Sequence, residues 1–312
     1  MKLSDIGERG AIDVMAELYG TVTLDDCATI DDGDDVLLVT SDIVNEETHF
    51  PPGATPGQMG WFVVAINLSD IAGKGARPLG ILLSLGLPAS LDVGFLESFS
   101  KGAQTCATAY DTAIIGGDTK EMPSVTLCGI ALGRMHKDAY MPRNGAAPGD
   151  LVCVTGSLGQ AGAALCCLQD GPDDAALHDL LHVEPRVDAG MALASTRAVH
   201  ASMDISDGLA SSLFQLARAS RCGFAVDASK VPLASNATLE QGLYHGGDYE
   251  LLFTVPPGKR DVVSDALQEV DCPVSVIGKV LEGQDMILRR HGETVPLEQR
   301  GYEHFTGKGK TL

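Results

Sequence analysis

Leu151-Val152-Cys153-Val154-Thr155-Gly156-Ser157-Leu158-Gly159-Gln160-Ala161-Gly162-Ala163-Ala164-Leu165-Cys166-Cys167-Leu168-Gln169 runs without a charge from Asp150 to Asp170. That is close to the ~20 apolar residues that cross a bilayer. Gly156, Ser157, Gly159, Gln160 and Gly162 break the run, and it divides into a β-like Leu151–Thr155 and a helical Leu158–Leu168. Strand, glycine turn and buried helix account for it better than a membrane span, so a soluble α/β unit starts here. Immediately upstream, Asn144-Gly145-Ala146-Ala147-Pro148-Gly149 is the most linker-like stretch of the chain. It divides the sequence into an N-terminal domain, residues 1–140, and a C-terminal domain, residues 141–312.

Strand and helix patterns alternate on both sides of that boundary. Ile12, Met15 and Leu18 recur at helical spacing until Gly20. Strands are predicted at Val36–Ser41, Leu79–Leu87, Thr112–Ile115 and Val125–Leu132, with helices from Thr55-Pro56 to Ile71 and over Leu91–Tyr110. Downstream come two acidic helical segments ending at Thr196, strand Val199–Ile205 and helix Leu209–Ser220. Strands Phe224–Asp227, Glu250–Val255 and Val274–Ile277 follow, with a helix near Asp261–Glu269. The pattern implies α/β or α+β layers in two domains.

Composition narrows the function. The 312 residues include 22 basic and 42 acidic side chains, a net charge of −20. A field of that sign repels nucleic acid and anionic lipid, and no basic run longer than Arg289-Arg290 or Lys259-Arg260 offsets it. Eight scattered cysteines without a CxxC pair read as reduced thiols of a cytoplasmic protein. Met1-Lys2-Leu3-Ser4-Asp5 lacks an apolar core, so no signal peptide is expected. The 36 glycines against 15 prolines suggest backbone that turns sharply or approaches a ligand.

The aspartates carry the chemistry. Asp42 ends a strand, and Asp70 lies inside the apolar helix Ala65-Ile66-Asn67-Leu68-Ser69-Asp70, where an unpaired carboxylate is costly. Asp118 stands at a strand end in Gly116-Gly117-Asp118-Thr119, Asp204 and Asp207 flank Ser206, and Asp248 follows Gly246-Gly247. Carboxylates at strand ends in glycine-rich turns suit hard divalent cations. Asp25, Asp31, Asp32, Asp34 and Asp35 read instead as residues of a polar turn. Gly73-Lys74-Gly75 and Gly307-Lys308-Gly309 lack the spacing of a phosphate loop, so a bound nucleotide needs metal ions to carry its charge. His178-Asp179-Leu180-Leu181-His182 has the histidine spacing of a zinc protease but Asp where that motif needs Glu; a solvated helix is expected.

In order and spacing, these motifs resemble the thiamine-monophosphate kinase family, whose superfamily includes aminoimidazole ribonucleotide synthetase and selenophosphate synthetase. The resemblance spans nearly the whole chain. It is carried by Asp25-Asp26-Cys27-Ala28, Val39-Thr40-Ser41-Asp42, His49-Phe50, Asn67-Leu68-Ser69-Asp70-Ile71-Ala72 with Gly75-Ala76-Arg77-Pro78, and Gly116-Gly117-Asp118-Thr119. Arg143 before Gly149-Asp150, Asp204-Ile205-Ser206-Asp207-Gly208-Leu209, Tyr249-Glu250-Leu251-Leu252-Phe253-Thr254 and Gly301-Tyr302-Glu303-His304-Phe305 complete it. Two departures stand out: Leu24 replaces the first residue of the family's Gly-Asp-Asp-Ala, and Gly246-Gly247-Asp248-Tyr249-Glu250 is one Glu short of the family's loop.

The resemblance implies an α/β (α+β) fold like aminoimidazole ribonucleotide synthetase, with an N-terminal sheet pairing across a homodimer and a C-terminal α/β domain. It implies ATP-dependent phosphorylation of thiamine monophosphate to thiamine diphosphate. Asp26, Thr40, Ser41, Asp42, Asp70, Asp118, Asp204 and Asp207 are then the ligands of several Mg²⁺ ions. Gly117, Asp118, Arg143 and Ser206 contact ATP, while His49 and Tyr302 contact thiamine monophosphate. No general base is expected, because a phosphate monoester with a second pKa near ~6 is already an anionic nucleophile. The alternatives are another ATP-dependent member of the superfamily, a cyclo-ligase or a selenophosphate synthetase, and a catalytically idle nucleotide-binding protein. The absence of a Cys-bearing glycine loop before Leu24 argues against the synthetase. Clustered carboxylate repulsion, of no use to a scaffold, argues against the idle protein.

Overall fold

Thr55-Pro56 opens the helix that organises the molecule. Thr55 and Gln58 form a reciprocal cap, the Gln58 amide donating to Thr55 Oγ1 and the Thr55 amide to Gln58 Oε1. The helix runs from Pro56 to Lys74 and ends at Gly75, whose φ of 77° only glycine adopts freely. It is buried nearly all round rather than on one stripe, because it lies between two sheets. A computed structural model describes residues 1–20 and 25–305 of the chain. Leu24, with its departure from the family pattern, and Gly307-Lys308-Gly309 lie outside the described residues.

The first domain contains α1 (Leu3–Tyr19), β1 (Ala28–Asp32), β2 (Asp35–Asn45), α2 (Glu46–His49), α3 (Pro56–Lys74), β3 (Arg77–Leu87), α4 (Val93–Ala109), β4 (Ile114–Glu121) and β5 (Thr126–His136). Its sheet has the order β1-β2-β5-β3-β4, antiparallel except for the β3–β4 pair. The second contains β6 (Leu151–Thr155), α5 (Gln160–Leu168), α6 (Asp174–Leu181), α7 (Val187–Thr196), β7 (Ala201–Asp204), α8 (Leu209–Ser220), β8 (Gly223–Asp227), α9 (Leu239–Tyr244), β9 (Leu251–Val255), α10 (Arg260–Gln268), β10 (Val274–Leu281), β11 (Met286–Arg290) and β12 (Glu293–Pro296). Its sheet has the order β12-β11-β8-β10-β6-β9-β7, and only β11–β8 is parallel. The architecture is therefore α/β of the α+β kind. The uncharged stretch is β6, a turn and α5, as predicted, and among the described residues no helix is long and apolar enough to cross a membrane.

Two corrections concern the aspartates. Asp31 and Asp32 lie in β1, which pairs with β2 through a tight turn at Gly33-Asp34, rather than in an extended polar turn. Asp118 lies in the middle of β4, four residues into a strand predicted to stop at Ile115.

α3 packs against α4 on one side and α7 on the other with backbone nearly touching backbone. A Cβ at Gly60 would stand 2.1 Å from the Phe99 carbonyl oxygen, and one at Gly190 of α7 would stand 2.1 Å from that of Ala72. The inner face of β2, through Val36, Leu38 and Val44, joins the core around α3. Its other face, with Val39, Ser41 and Ile43 registered beside Leu132, Ile130 and Cys128 of β5, is only partly covered. Ile43 is 65% exposed there.

Candidate active site

The sheets and α3 bring three carboxylates together. Asp26 precedes β1, Asp70 lies on α3, and Asp204 ends β7; one oxygen from each lies within 4.8 Å of the others. Thr40 on β2 donates to Asp70, and Ser69 donates to Asp204 Oδ2 at 2.6 Å. Asp42 joins through its backbone: its amide donates at 3.1 Å to Asn67 Oδ1, and Asn67 donates in turn to the Val63 carbonyl. Strand alternation puts Thr40 and Asp42 on the helix-facing side and turns Ser41 to the opposite face, where its hydroxyl meets Cys128 Sγ at 3.3 Å.

The electrostatics of this cluster are lopsided. Burial lifts the Asp204 carboxyl to about 7, and the Asp26 charge adds to the effect. Burial likewise raises Asp42 to about 6 and Asp70 well above the ordinary range, with neighbouring carboxylates acting in the same sense. Asp26 is the exception: burial pushes upward, but Arg143 and Lys74 outweigh it and hold the carboxyl low. Lys74 Nζ lies 2.6 Å from Asp26 Oδ2, and Arg143 pairs with its other oxygen. An all-oxygen donor set whose carboxylates outnumber the basic side chains beside them fits a hard divalent cation.

The N-terminal helix and the C-terminal segment close one side of the site. Arg9 of α1 donates to Ser211 at 2.7 Å, Arg218 pairs with Asp13, and Glu8 accepts from the His304 amide at 3.2 Å. The Tyr302 amide donates to the Asp207 carbonyl at 3.1 Å. The His49 and His304 rings lie 5.5 Å apart and the Tyr302 and His304 rings 4.9 Å, so the two expected substrate residues meet through His304. Burial, helped by His304, pushes the His49 imidazole down to about 4, which leaves it neutral. Asp207 is lifted to about 7 by burial and Glu8. A cavity of about 970 Å³ opens beside Tyr302, Tyr244, His245 and Arg9.

Of the other expected residues, Arg143 sits at the cluster, pairing with Asp26 and donating to Gln215 at 2.9 Å. Ser206 lies in the loop after Asp204, and its carbonyl accepts from the Gly247 amide. Gly117 and Asp118 stand apart from the buried carboxylates within one chain. Asp118 is exposed on β4 beside Lys120, 3.2 Å away, and Gly117 is placed by close pairing, since a Cβ there would meet the Leu83 carbonyl oxygen at 1.7 Å. Asp248 caps α5 by accepting from the Gly159 and Ala161 amides. His178 and His182 stack on each other, and His182 stacks on Trp61 at 3.9 Å, so this motif packs α6 against α3.

Three contributions were not predicted. Asp25 is no mere turn residue: it accepts from Lys74 at 2.7 Å, Tyr140 at 3.0 Å and the Arg143 amide at 3.1 Å. Lys74 and the Glu8-Arg9 pair also reach the site. A lysine in a last helical turn normally faces water and gives no signal; Lys74 points inward because β7 lies beneath it and offers the Ser202 carbonyl.

The two halves match the family models for AIR synthase related protein, the N-terminal domain over residues 24–135 and the C-terminal domain over residues 147–291. Fold and carboxylate cluster thus define a two-domain protein of the AIR synthase related class. The chain is 35% identical over 302 residues to the thiamine-monophosphate kinase of Methanospirillum hungatei, covering 95% of this chain and 99% of that one. It is 37% identical over 303 residues to that of Halobacterium salinarum, covering 95% and 99%. The solved structure of AaThiL complexed with AMPPCP and TMP superposes with a TM-score of 0.87 at 29% identity, covering 97% of this chain and 99% of that one. The chain belongs to the thiamine-monophosphate kinase family.

Proposed function

We propose that this protein transfers the γ-phosphoryl group of ATP to thiamine monophosphate, giving thiamine diphosphate, as a Mg²⁺-dependent homodimeric enzyme of the cytoplasm. The observation that carries the reading is the convergence of Asp26, Asp70 and Asp204, with Asp207 tied by its carbonyl to the Tyr302 segment. Relatives named as thiamine-monophosphate kinases support it, as does the solved relative that holds AMPPCP and TMP.

In this reading Asp26, Thr40, Ser41, Asp42, Asp70, Asp118, Asp204 and Asp207 would hold Mg²⁺. Bound Mg²⁺ supplies charge neutralisation between two phosphate-bearing substrates and alignment for in-line transfer. Gly117, Asp118, Arg143 and Ser206 contact ATP, while His49 and Tyr302 orient thiamine monophosphate. The neutral His49 adds no charge beside the thiazolium ring, and no side chain is assigned as general base. The half-covered apolar face of β2 and β5 supports pairing with a second copy. Residues 1–140 and 141–312 are taken as the domains, and eight free cysteines support a reducing compartment.

The test is a coupled ADP-release assay with thiamine monophosphate, with thiamine and with no acceptor, products being separated by chromatography. ADP and thiamine diphosphate are expected only with the monophosphate. Equal turnover of unphosphorylated thiamine would refute the assignment, because the reaction would then not depend on an anionic phosphate nucleophile.

A further inference from the structure

Gly73-Lys74-Gly75 is no phosphate loop, yet its lysine is wholly buried. Lysine in a last helical turn normally carries its ammonium out to water along its own alkyl stem. Lys74 turns inward, its side chain 0% exposed. Its ammonium lies 2.7 Å from Asp25 Oδ1, 2.6 Å from Asp26 Oδ2 and 2.6 Å from the Ser202 carbonyl oxygen. Gly73 permits the approach: a Cβ there would stand 3.0 Å from the Asp204 amide nitrogen and 3.4 Å from Asp26 Oδ2.

The charges around it divide cleanly. Asp25 and Asp26 are matched by Lys74 and by Arg143, which pairs with Asp26 and donates its amide to Asp25. Both Asp25 oxygens already hold donors, so Asp25 orients Lys74 and offers nothing to a metal. Among the described residues no ion pair joins Asp42, Asp70 or Asp204 to a basic side chain. The Asp26 side chain, 1% exposed, has Lys74 on Oδ2 and Arg143 on Oδ1, yet one of its oxygens lies within 4.8 Å of one from Asp70 and one from Asp204.

The geometry points to Lys74 as a built-in counter-cation and positioning residue, which occupies the side of Asp26 that a further divalent ion would take and so limits cation uptake. Its charge offsets carboxylate repulsion in the metal-free site. The inference rests on the reading of the cluster as a Mg²⁺ site. Charge alone fixes its signs: a unit positive charge removed beside a divalent cation strengthens binding, and an added one weakens it.

The test measures Mn²⁺ uptake by electron paramagnetic resonance and melting temperature in EDTA, neither of which requires turnover. Wild type should bind Mn²⁺ and Asp70→Asn should bind it poorly. Lys74→Met should bind Mn²⁺ about tenfold or more tightly, or take up an additional ion, and should melt lower than wild type in EDTA but not in Mn²⁺. Asp25→Asn, which leaves Lys74 in excess, should bind about tenfold more weakly. Unchanged binding in both variants, or weakened binding in Lys74→Met, overturns the role of Lys74 while the metal site stands. Indistinguishable binding in wild type and Asp70→Asn overturns the metal reading and this inference with it. If Lys74→Met does not fold, Asp25→Asn decides: weaker binding supports the counter-cation and unchanged binding overturns it.

Discussion

Asp204→Asn should make the metal-free protein more stable while disabling it. Asp204 is 2% exposed, and its carboxyl is raised by burial, and then by Asp26, to about 7 against an ordinary 3.8. A carboxyl raised on folding favours the protonated native state, so its contribution to stability is complete below about pH 4 and is lost as pH climbs through 7. The gap between 3.8 and about 7, at 1.36 kcal/mol per pH unit, corresponds to about 4 kcal/mol of strain in the ionised native state. Asparagine keeps the shape and an oxygen to accept from Ser69, and removes the charge. Because neighbouring carboxylates can take up the proton instead, a gain of about 2–4 kcal/mol at pH 8 is expected. That is a rise of roughly 4–10 °C in melting temperature. Denaturation in EDTA at pH 8 and pH 4 measures it, and the difference from wild type should vanish at pH 4. Mg²⁺ should stabilise wild type and hardly stabilise the variant. Activity should fall by about a hundredfold or more, which needs about 2.7 kcal/mol of lost transition-state stabilisation. A variant no more stable than wild type at pH 8, or a difference that is the same at both pH values, would refute the argument.

Two further predictions concern the first domain. Asp118→Asn should leave the melting temperature in EDTA unchanged, because the residue is exposed on β4, yet raise the Mg²⁺ needed for turnover; an unaltered Mg²⁺ titration removes Asp118 from the ligand set. Light scattering should give twice the chain mass of 32.6 kDa, and Ile43→Asp, which charges a side chain 65% exposed on the uncovered face, should yield monomers. A stable wild-type monomer at micromolar concentration would contradict the pairing.

Where a segment buries one face or a whole circumference, its sequence declares it. Leu209–Ser220 is a helix with the predicted bounds, and the strand seeded at Val36–Ser41 extends to Asp35–Asn45 because alternation continues into residues the apolar run did not include. β1, exposed along its whole length, has no such pattern; its aspartates hide a strand that pairs only along one edge. In the site, Asp70 was legible because a carboxylate inside an apolar helix needs a reason. Lys74 and Arg9 were not, because lysine and arginine near helix ends normally point to water, and only the packing of β7 and α8 makes these two different. His304 was visible as part of a motif, but its place between His49 and Tyr302 depends on both ends of the chain meeting.

The contacts of α3 through Gly60 and Gly190 bear on how substrates enter. Two helices held backbone against backbone have no layer of long side chains that can slide or change rotamer, and close-packed interfaces of this kind switch rather than bend. With α4 on one flank and α7 of the second domain on the other, α3 ties the two halves together along that line. The Gly301–His304 segment is seated closely too: a Cβ at Gly301 would stand 2.6 Å from the Asp207 carbonyl oxygen, which also accepts from the Tyr302 amide at 3.1 Å. Substrate exchange that leaves these contacts intact has to run through the cavity beside Arg9, Tyr244 and Tyr302 rather than between α3 and its flanking helices.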